Sequence, residues 1–195
     1  MRLIKGIFLA LLPLPAMADS CHDQLADILA NPLYSDIPYE AQAVGSIGGM
    51  ETITHQQFLS DTHSLIKTIT PAGLPDTLFY QGGTYHPDGE GGWKLLYETD
   101  LTTYEKGLED TRQGRSQAVL IAECSDIDVD GSLHTKISGT IDVVPPFQSE
   151  MQVEYVINPE TGLPVQFSYA YTMNGMQAES RFEYKALPGL ELPTP

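Results

Sequence analysis

The sequence is poor in cysteine, in basic residues and in long apolar runs, and these shortages exclude several classes of protein. Its 195 residues include 2 cysteines and 10 basic residues against 26 acidic ones, so the formal net charge is −16. A chain this acidic repels nucleic acids and anionic lipid surfaces, both of which attract basic patches. Solubility alone explains such a charge, and a basic protein partner is the alternative.

The longest apolar run lies at the N terminus and is too short to cross a membrane. A basic start, apolar residues 6–14 and the small-x-small site Ala16-Met17-Ala18 are typical of a signal peptide. A spanning helix needs about 20 apolar residues. We therefore predict a signal peptide over 1–18, a secreted and periplasmic protein that does not span the membrane, one domain over 19–186 and a flexible tail over 187–195.

The two cysteines, Cys21 and Cys124, both follow the predicted cleavage site. An even number of cysteines in an oxidising compartment indicates a disulfide bridge. A lipid anchor on Cys21 is the alternative, but Ala18-Asp19-Ser20 is a poor match to a lipobox. The sequence therefore predicts a Cys21–Cys124 bridge.

The chain also lacks the sequence motifs of nucleophilic, nucleotide-binding and zinc enzymes. The five histidines have no metal-ligand spacing, although His55 and His63 could face each other on neighbouring strands. Asp126, Asp128 and Asp130 match the first half of a calcium loop, but Ile137 stands where that loop needs a glutamate. We predict no enzyme activity, no cofactor and no metal site. The three aspartates also suit a strand that ends in a turn, and whether they bind calcium stays open.

Most of the chain after residue 38 has the alternation and turn residues of β-strands. The exceptions are a helix over 101–114, a loop over 71–92 that contains one short strand (77–80), and a turn at Asp130-Gly131 that needs a longer loop or a bulge. A first helix, over 21–30, precedes the strands. The predicted strands are 39–47, 51–59, 62–70, 93–97, a buried strand over 116–124, one that includes Leu133, Ile137, Ile141 and Val143, and 151–157.

The last third of the sequence contains the clearest hairpin. Residues 165–173 and 176–184 alternate between apolar and polar side chains on either side of Asn174-Gly175. This dipeptide favours a two-residue turn, because both of its residues tolerate a positive φ. The turn pairs Met173 with Met176 and places both apolar sets on one face.

The segment Glu154–Val165, with Asn158-Pro159-Glu160-Thr161-Gly162 between two strands, resembles the closing section of periplasmic lipoprotein carriers of the LolA-like family and of related small secreted proteins of unassigned role. The match covers residues 154–184. The resemblance implies an incomplete antiparallel β-barrel that wraps helices and encloses an apolar cavity for acyl chains. The carriers are often basic, and the acidic balance of this chain departs from that pattern.

Together these observations predict an α+β, mainly β fold: a curved antiparallel sheet or incomplete β-barrel packed on one or two helices. We expect a non-enzymatic protein that binds an apolar or acyl-bearing ligand, such as a lipid or a lipoprotein acyl chain, in the concave face. The alternative is a protein-interaction module with a filled core, whose sheet edge or acidic face docks another envelope protein. The candidate ligand-binding residues are Tyr155, Phe167, Tyr169, Tyr171, Met173 and Phe182; they could equally pack against the helix at 101–114.

Overall fold

The computed structural model describes residues 16–31, 34, 37–142 and 149–195. Most of the predicted signal peptide and Val143 therefore lie outside the described residues. The helices are α1 (Ala16–Ala30) and α2 (Leu101–Gln117). The strands are β1 (Tyr39–Ile47), β2 (Met50–Ser60), β3 (His63–Thr70), β4 (Thr77–Tyr80), β5 (Gly83–Pro87), β6 (Trp93–Glu98), β7 (Val119–Val129), β8 (Ser132–Ile141), β9 (Met151–Ile157), β10 (Pro164–Met173) and β11 (Met176–Ala186).

All eleven strands form one antiparallel sheet in the order β6-β5-β4-β3-β2-β1-β11-β10-β9-β8-β7. The chain starts in the middle of the sheet, runs outward to the β6 edge, crosses through α2 to the β7 edge and returns inward to β11. The pairing of β1 with β11, from Tyr39↔Ala186 to Ile47↔Ala178, joins the two halves. This architecture confirms the predicted mainly β fold with two helices.

Two-residue turns set the register of the hairpins on both sides of the β1–β11 pair. Asn174 and Gly175 both have a positive φ, 52° and 78°, and Met173 pairs with Met176 as predicted. The turn at Gly48-Gly49 has the same character, and Ile47 pairs with Met50. Because side chains alternate along each strand, these registers place the aromatic residues of β10 and β11 on one face of the sheet, which we call the inner face.

Helix α1 covers the inner face of the sheet near the β7 edge. Leu25 is fully buried and Leu29 nearly so, in one cluster with Ile137, Ile141 and Val153. The predicted bridge between Cys21 and Cys124 is present and ties α1 to β7 across 103 residues of sequence. The core therefore lies between α1 and strands β7–β9.

Helix α2 packs against α1 and has no buried residue of its own. It begins at Leu101 because the Asp100 side chain accepts a hydrogen bond from Thr103 N at 3.0 Å and caps the helix. Arg112 Nη2 contacts Asp61 Oδ1 at 2.8 Å, which fastens α2 to the β2–β3 turn. The helical residues of the buried core come from α1, and of the candidate tyrosines only Tyr155 belongs to that core.

Three sequence expectations about strands and turns were wrong. The predicted loop contains β5, because Gln81 and Gly82 form a tight turn that returns the chain beside β4. Helix α2 continues to Gln117, and β7 is an edge strand on which Leu120 and Ile121 are exposed, not a buried strand that starts at Ser116. An apolar run alone does not distinguish an edge strand from a buried one.

The third wrong expectation concerns Asp130-Gly131, which forms a two-residue turn without a longer loop or a bulge. Both residues have a positive φ, and Val129 pairs with Ser132. This register pairs the apolar Val129 with the polar Ser132 and Leu133 with Asp128. The mismatch has little cost, because Leu133 is 63% exposed at the hairpin tip and need not join the core. Turn geometry therefore determines the register here.

No helix among the described residues is long and apolar enough to cross a membrane.

The C-terminal segment 187–195, predicted as a flexible tail, hydrogen-bonds to the domain at two points: Leu187 N donates to Pro38 O at 2.7 Å, and His63 Nε2 lies 2.9 Å from Pro193 O.

The final turn provides a stability prediction. Gly175→Val should lower the free energy of unfolding by about 1–3 kcal/mol, because a β-branched residue is strained at φ 78°. The added Cβ meets no atom within 4 Å, so the cost comes from the backbone and not from a clash. Gly107→Ala in α2, where a Cβ also meets nothing, is the matched control and should be neutral or stabilising. Equal urea midpoints for Gly175→Val and the wild type would contradict the turn assignment.

Candidate functional site

The inner face carries a continuous series of aromatic rings that crosses the middle of the sheet, and we call it the aromatic row. Tyr155 stacks on Phe167 with the ring centroids 4.5 Å apart, and Phe167 lies 5.7 Å from Phe182. Tyr169 lies 6.0 Å from Phe182 and 5.8 Å from Tyr171. Such ring pairs contribute stability beyond the apolar area that they bury.

The aromatic row continues through Tyr184 onto β1 and β2, where Tyr39 and Phe58 are rings that the sequence did not assign to the candidate site. Tyr184 neighbours Phe182, Tyr39 lies 5.8 Å from Tyr184, and Phe58 stacks on Tyr39 at 4.7 Å. Tyr34 stacks on Tyr39 from outside the sheet. The row therefore spans β9, β10, β11, β1 and β2.

The six candidate residues differ in burial within this row. Tyr155 is 4% exposed and belongs to the core, whereas Phe167, Tyr169, Tyr171, Met173 and Phe182 are half-buried. Phe167, Tyr169 and Tyr171 touch the edge of the core cluster. The structure thus brings the six residues onto one face and leaves five of them partly accessible.

Burial makes the surroundings of these tyrosines apolar. Desolvation raises the pKa of Tyr155, Tyr184 and Tyr39 above the ordinary tyrosine value, because the charged phenolate is disfavoured away from water. The nearby carboxylate of Asp61 raises the pKa of Tyr39 further. An aromatic row that keeps its hydroxyls neutral suits contact with apolar groups.

These raised pKa values predict loss of stability in alkali. Unfolded tyrosine ionises near pH 10, while the folded chain keeps Tyr39, Tyr155 and Tyr184 protonated, so the unfolded state releases protons that the folded state retains. The free energy of unfolding should therefore be unaffected by these groups below about pH 9 and fall as the pH rises above about 10. Urea midpoints at pH 9, 10 and 11 measure this fall. Tyr155→Phe should make it shallower, and a midpoint that stays constant to pH 11 would refute the burial of these hydroxyls.

The histidines and Asp128 have structural partners. His55 pairs across β1 and β2 with Glu40 at 3.2 Å and lies opposite Lys67, so the expected facing of His55 and His63 was wrong. Asp128 Oδ1 accepts a hydrogen bond from Gly131 N at 2.9 Å, which agrees with a strand ending in a turn. In the part of the chain that the structure describes, no group of three or more His, Cys, Asp or Glu side chains could hold a metal ion.

Comparisons with known proteins found similar structures at low sequence identity. A LolA superfamily protein from Nitrosomonas europaea is 11% identical, with 91% of this chain and 95% of that chain covered and a TM-score of 0.32. A domain from Vibrio parahaemolyticus, described as a putative outer membrane lipoprotein-sorting protein domain, is 6% identical, with 87% of this chain and 92% of that chain covered and a TM-score of 0.31. These similar structures include LolA-like proteins, the family that residues 154–184 resemble.

The MucA/MucB complex of Pseudomonas aeruginosa contains a further similar chain. It is 11% identical, with 89% of this chain covered and a TM-score of 0.47. This chain spans only 59% of the length of that one. No family model and no curated protein matches the sequence.

Proposed function

We propose that this chain is a secreted, periplasmic and non-enzymatic protein that binds an apolar or acyl-bearing ligand on the aromatic row. The observation that carries the proposal is the partial exposure of Phe167, Tyr169, Tyr171 and Phe182 as neighbouring rings on one face. A contiguous apolar surface that water reaches is unfavourable in a monomer and is typical of a binding site. Flat rings side by side offer an alkyl chain a long, shallow contact surface.

The position of helix α1 supports this assignment. Leu25 and Leu29 fill the core above β7 and β8, where Ile137 and Ile141 are buried. On β10 and β11 the inner-facing rings stay half-buried. The inner face thus divides into a packed part under α1 and a partly accessible aromatic part, and the accessible part is where we place the ligand.

The bridge and the histidine contacts support the compartment and the absence of catalysis. A disulfide such as Cys21–Cys124 persists in an oxidising compartment such as the periplasm. His22, His63 and His134 each lie at hydrogen-bond distance from a backbone carbonyl oxygen, and such imidazoles hold structure together. The signal peptide predicted over 1–18 agrees with export.

A charge placed in the aromatic row tests the proposal. Tyr169→Asp puts a carboxylate among apolar rings, where its ionised form is strongly disfavoured. We expect this variant to bind a fluorescent fatty-acyl probe at least tenfold more weakly than the delipidated wild type. Tyr169→Leu keeps an apolar side chain at the same place and should keep most of the binding.

The matched control is Thr172→Asp, which adds the same charge to β10 on the opposite face of the sheet. It should bind the probe as the wild type does, and circular dichroism with thermal melting checks that all variants fold. Equal loss of binding by Thr172→Asp and Tyr169→Asp would contradict the site. A folded, delipidated wild type that binds no probe at micromolar concentration would favour the interaction module with a filled core.

A further inference from the structure

The opposite face of the sheet carries a groove of about 880 Å³ that runs across seven strands. Two cross-strand rows of side chains form its walls, and the backbone of the residues between them forms its floor. One wall is Val44, Arg181, Ser168, Glu154, Ser138 and Glu123, in consecutive pairing across β1, β11, β10, β9, β8 and β7. The other is Ser46, Glu179, Ala170, Gln152, Thr140 and Ile121, continued onto β2 by Glu51.

The dimensions of this groove, which we call the outer groove, suit an extended peptide. Seven strands about 4.8 Å apart give a length on the order of 29 Å, and walls two residues apart lie about 7 Å from each other. An extended chain rises about 3.3 Å per residue, so about nine residues would fill the groove. Ala170 and Ser168, which have small side chains, keep its middle open.

The charge of the outer groove is strongly one-sided. Its walls carry four carboxylates, those of Glu51, Glu123, Glu154 and Glu179, against the single guanidinium of Arg181. One of the four is paired, because Lys136 Nζ lies 3.3 Å from Glu154 Oε2. Arg181 itself contacts Glu183 at 3.1 Å. A groove with an excess of negative charge concentrates the field that attracts a cationic ligand.

Each end of the groove combines an exposed apolar side chain with a carboxylate: Val44 with Glu51 at one end, and Ile121 with Glu123 at the other. Val44 is 42% exposed near one end and Ile121 is 61% exposed at the other. A bound segment can therefore place an apolar and a basic side chain at each end of the groove. This combination distinguishes a protein segment from a small polycation, which offers no branched apolar side chain.

We propose that the outer groove docks an extended, basic segment of another protein. A second copy of this chain would bring a further net charge of −16, and nucleic acid would bring phosphates, so the charge of the groove disfavours both. The groove lies on the opposite face from the aromatic row, so the proposal does not depend on the acyl-binding function.

A binding experiment with charge-matched variants tests this docking site. The probe is a fluorescein-labelled decapeptide of alternating lysine and valine, titrated with the full bridged protein at 0.1 M salt and followed by anisotropy. Glu51→Gln combined with Glu123→Gln removes two wall carboxylates and should raise the dissociation constant at least tenfold. Glu105→Gln combined with Glu109→Gln removes two exposed carboxylates from α2 and should raise it less than twofold, because salt screens charges beyond about 10 Å.

A second variant tests the shape of the groove without changing its charge. Ala170→Trp adds a bulky side chain to the middle of one wall of the groove, and it should weaken peptide binding at least tenfold while the fatty-acyl probe still binds. No binding below 1 mM, an equal effect of the two double variants, or normal binding by folded Ala170→Trp would overturn the proposal. If spermine displaces the labelled peptide at a concentration tenfold lower than the unlabelled peptide needs, the groove binds small polycations. This result would also overturn the proposal.

Discussion

Replacing both Cys21 and Cys124 by alanine is expected to lower the free energy of unfolding by about 4 kcal/mol. The bridge closes a loop of about 100 residues, and chain-entropy arguments assign 4–5 kcal/mol to a loop of roughly that length. It also holds α1 against β7, so its loss frees the helix whose leucines fill the core. A domain of ordinary total stability would therefore keep only part of that stability after the bridge is lost.

Urea unfolding of the oxidised wild type and of the double alanine variant measures this effect. Removal of both cysteines avoids a free thiol that could form bridges between molecules. Thiol titration of the denatured, unreduced wild type should find no free thiol, as the bridge requires. Two free thiols, or a variant as stable as the wild type, would contradict the stabilising role of the bridge.

Leu25→Ala is expected to lower the free energy of unfolding by about 3–4 kcal/mol. Leu25 is 0% exposed and belongs to a cluster that includes Ile137, Ile141 and Val153. Truncation removes apolar contacts and leaves a cavity, and both terms reduce stability. The helix cannot simply move inward to fill the cavity, because its Cys21 end is tied to β7.

The exposed neighbour Gln24 provides the control for this prediction. Gln24→Ala changes the same helix without affecting the core and should leave the free energy of unfolding within about 0.5 kcal/mol of the wild type. Equal destabilisation by the two variants would show that helix formation, and not burial of Leu25, determines the effect. A neutral Leu25→Ala would contradict the position of the core.

The elements that sequence analysis predicted well are those whose signals are local. Asn174-Gly175 between two alternating runs predicted the β10–β11 hairpin, its register and its inner face. The runs 39–47 and 51–59 on either side of Gly48-Gly49 likewise predicted β1 and β2 as a hairpin, although not its register. In both cases the turn requirement and the alternation agree, so residues close in the chain determine the structure.

The pairing of β1 with β11 could not be predicted in this way. It joins residues about 140 positions apart, such as Ala43 and Phe182, and no local pattern selects one partner strand over another. The extension of the aromatic row to Tyr39 and Phe58 depends on this pairing, so the candidate site was predicted only over β9–β11. The outer groove was missed for the same reason, because its walls depend on the combined register of seven strands.

The choice of covering helix also depends on long-range contacts. Leu25, Ile28 and Leu29 have helical spacing, but the sequence did not indicate that α1 packs on the inner face at the β7 edge. The predicted Cys21–Cys124 bridge was the one available indication. It fixes one end of α1 on β7 and thereby selects α1, not α2, as the helix above the core.

Native mass spectrometry of the protein purified from the periplasm, without delipidation, tests the acyl-binding account most directly. The account requires that part of the protein carries an added mass, that organic extraction removes this mass, and that the extract contains an acyl-bearing molecule. Tyr169→Asp, expressed and purified in the same way, should have the mass of the bare, bridged polypeptide. A folded wild type with only the polypeptide mass, together with no uptake of the fatty-acyl probe, would contradict the central claim that the aromatic row is a ligand site.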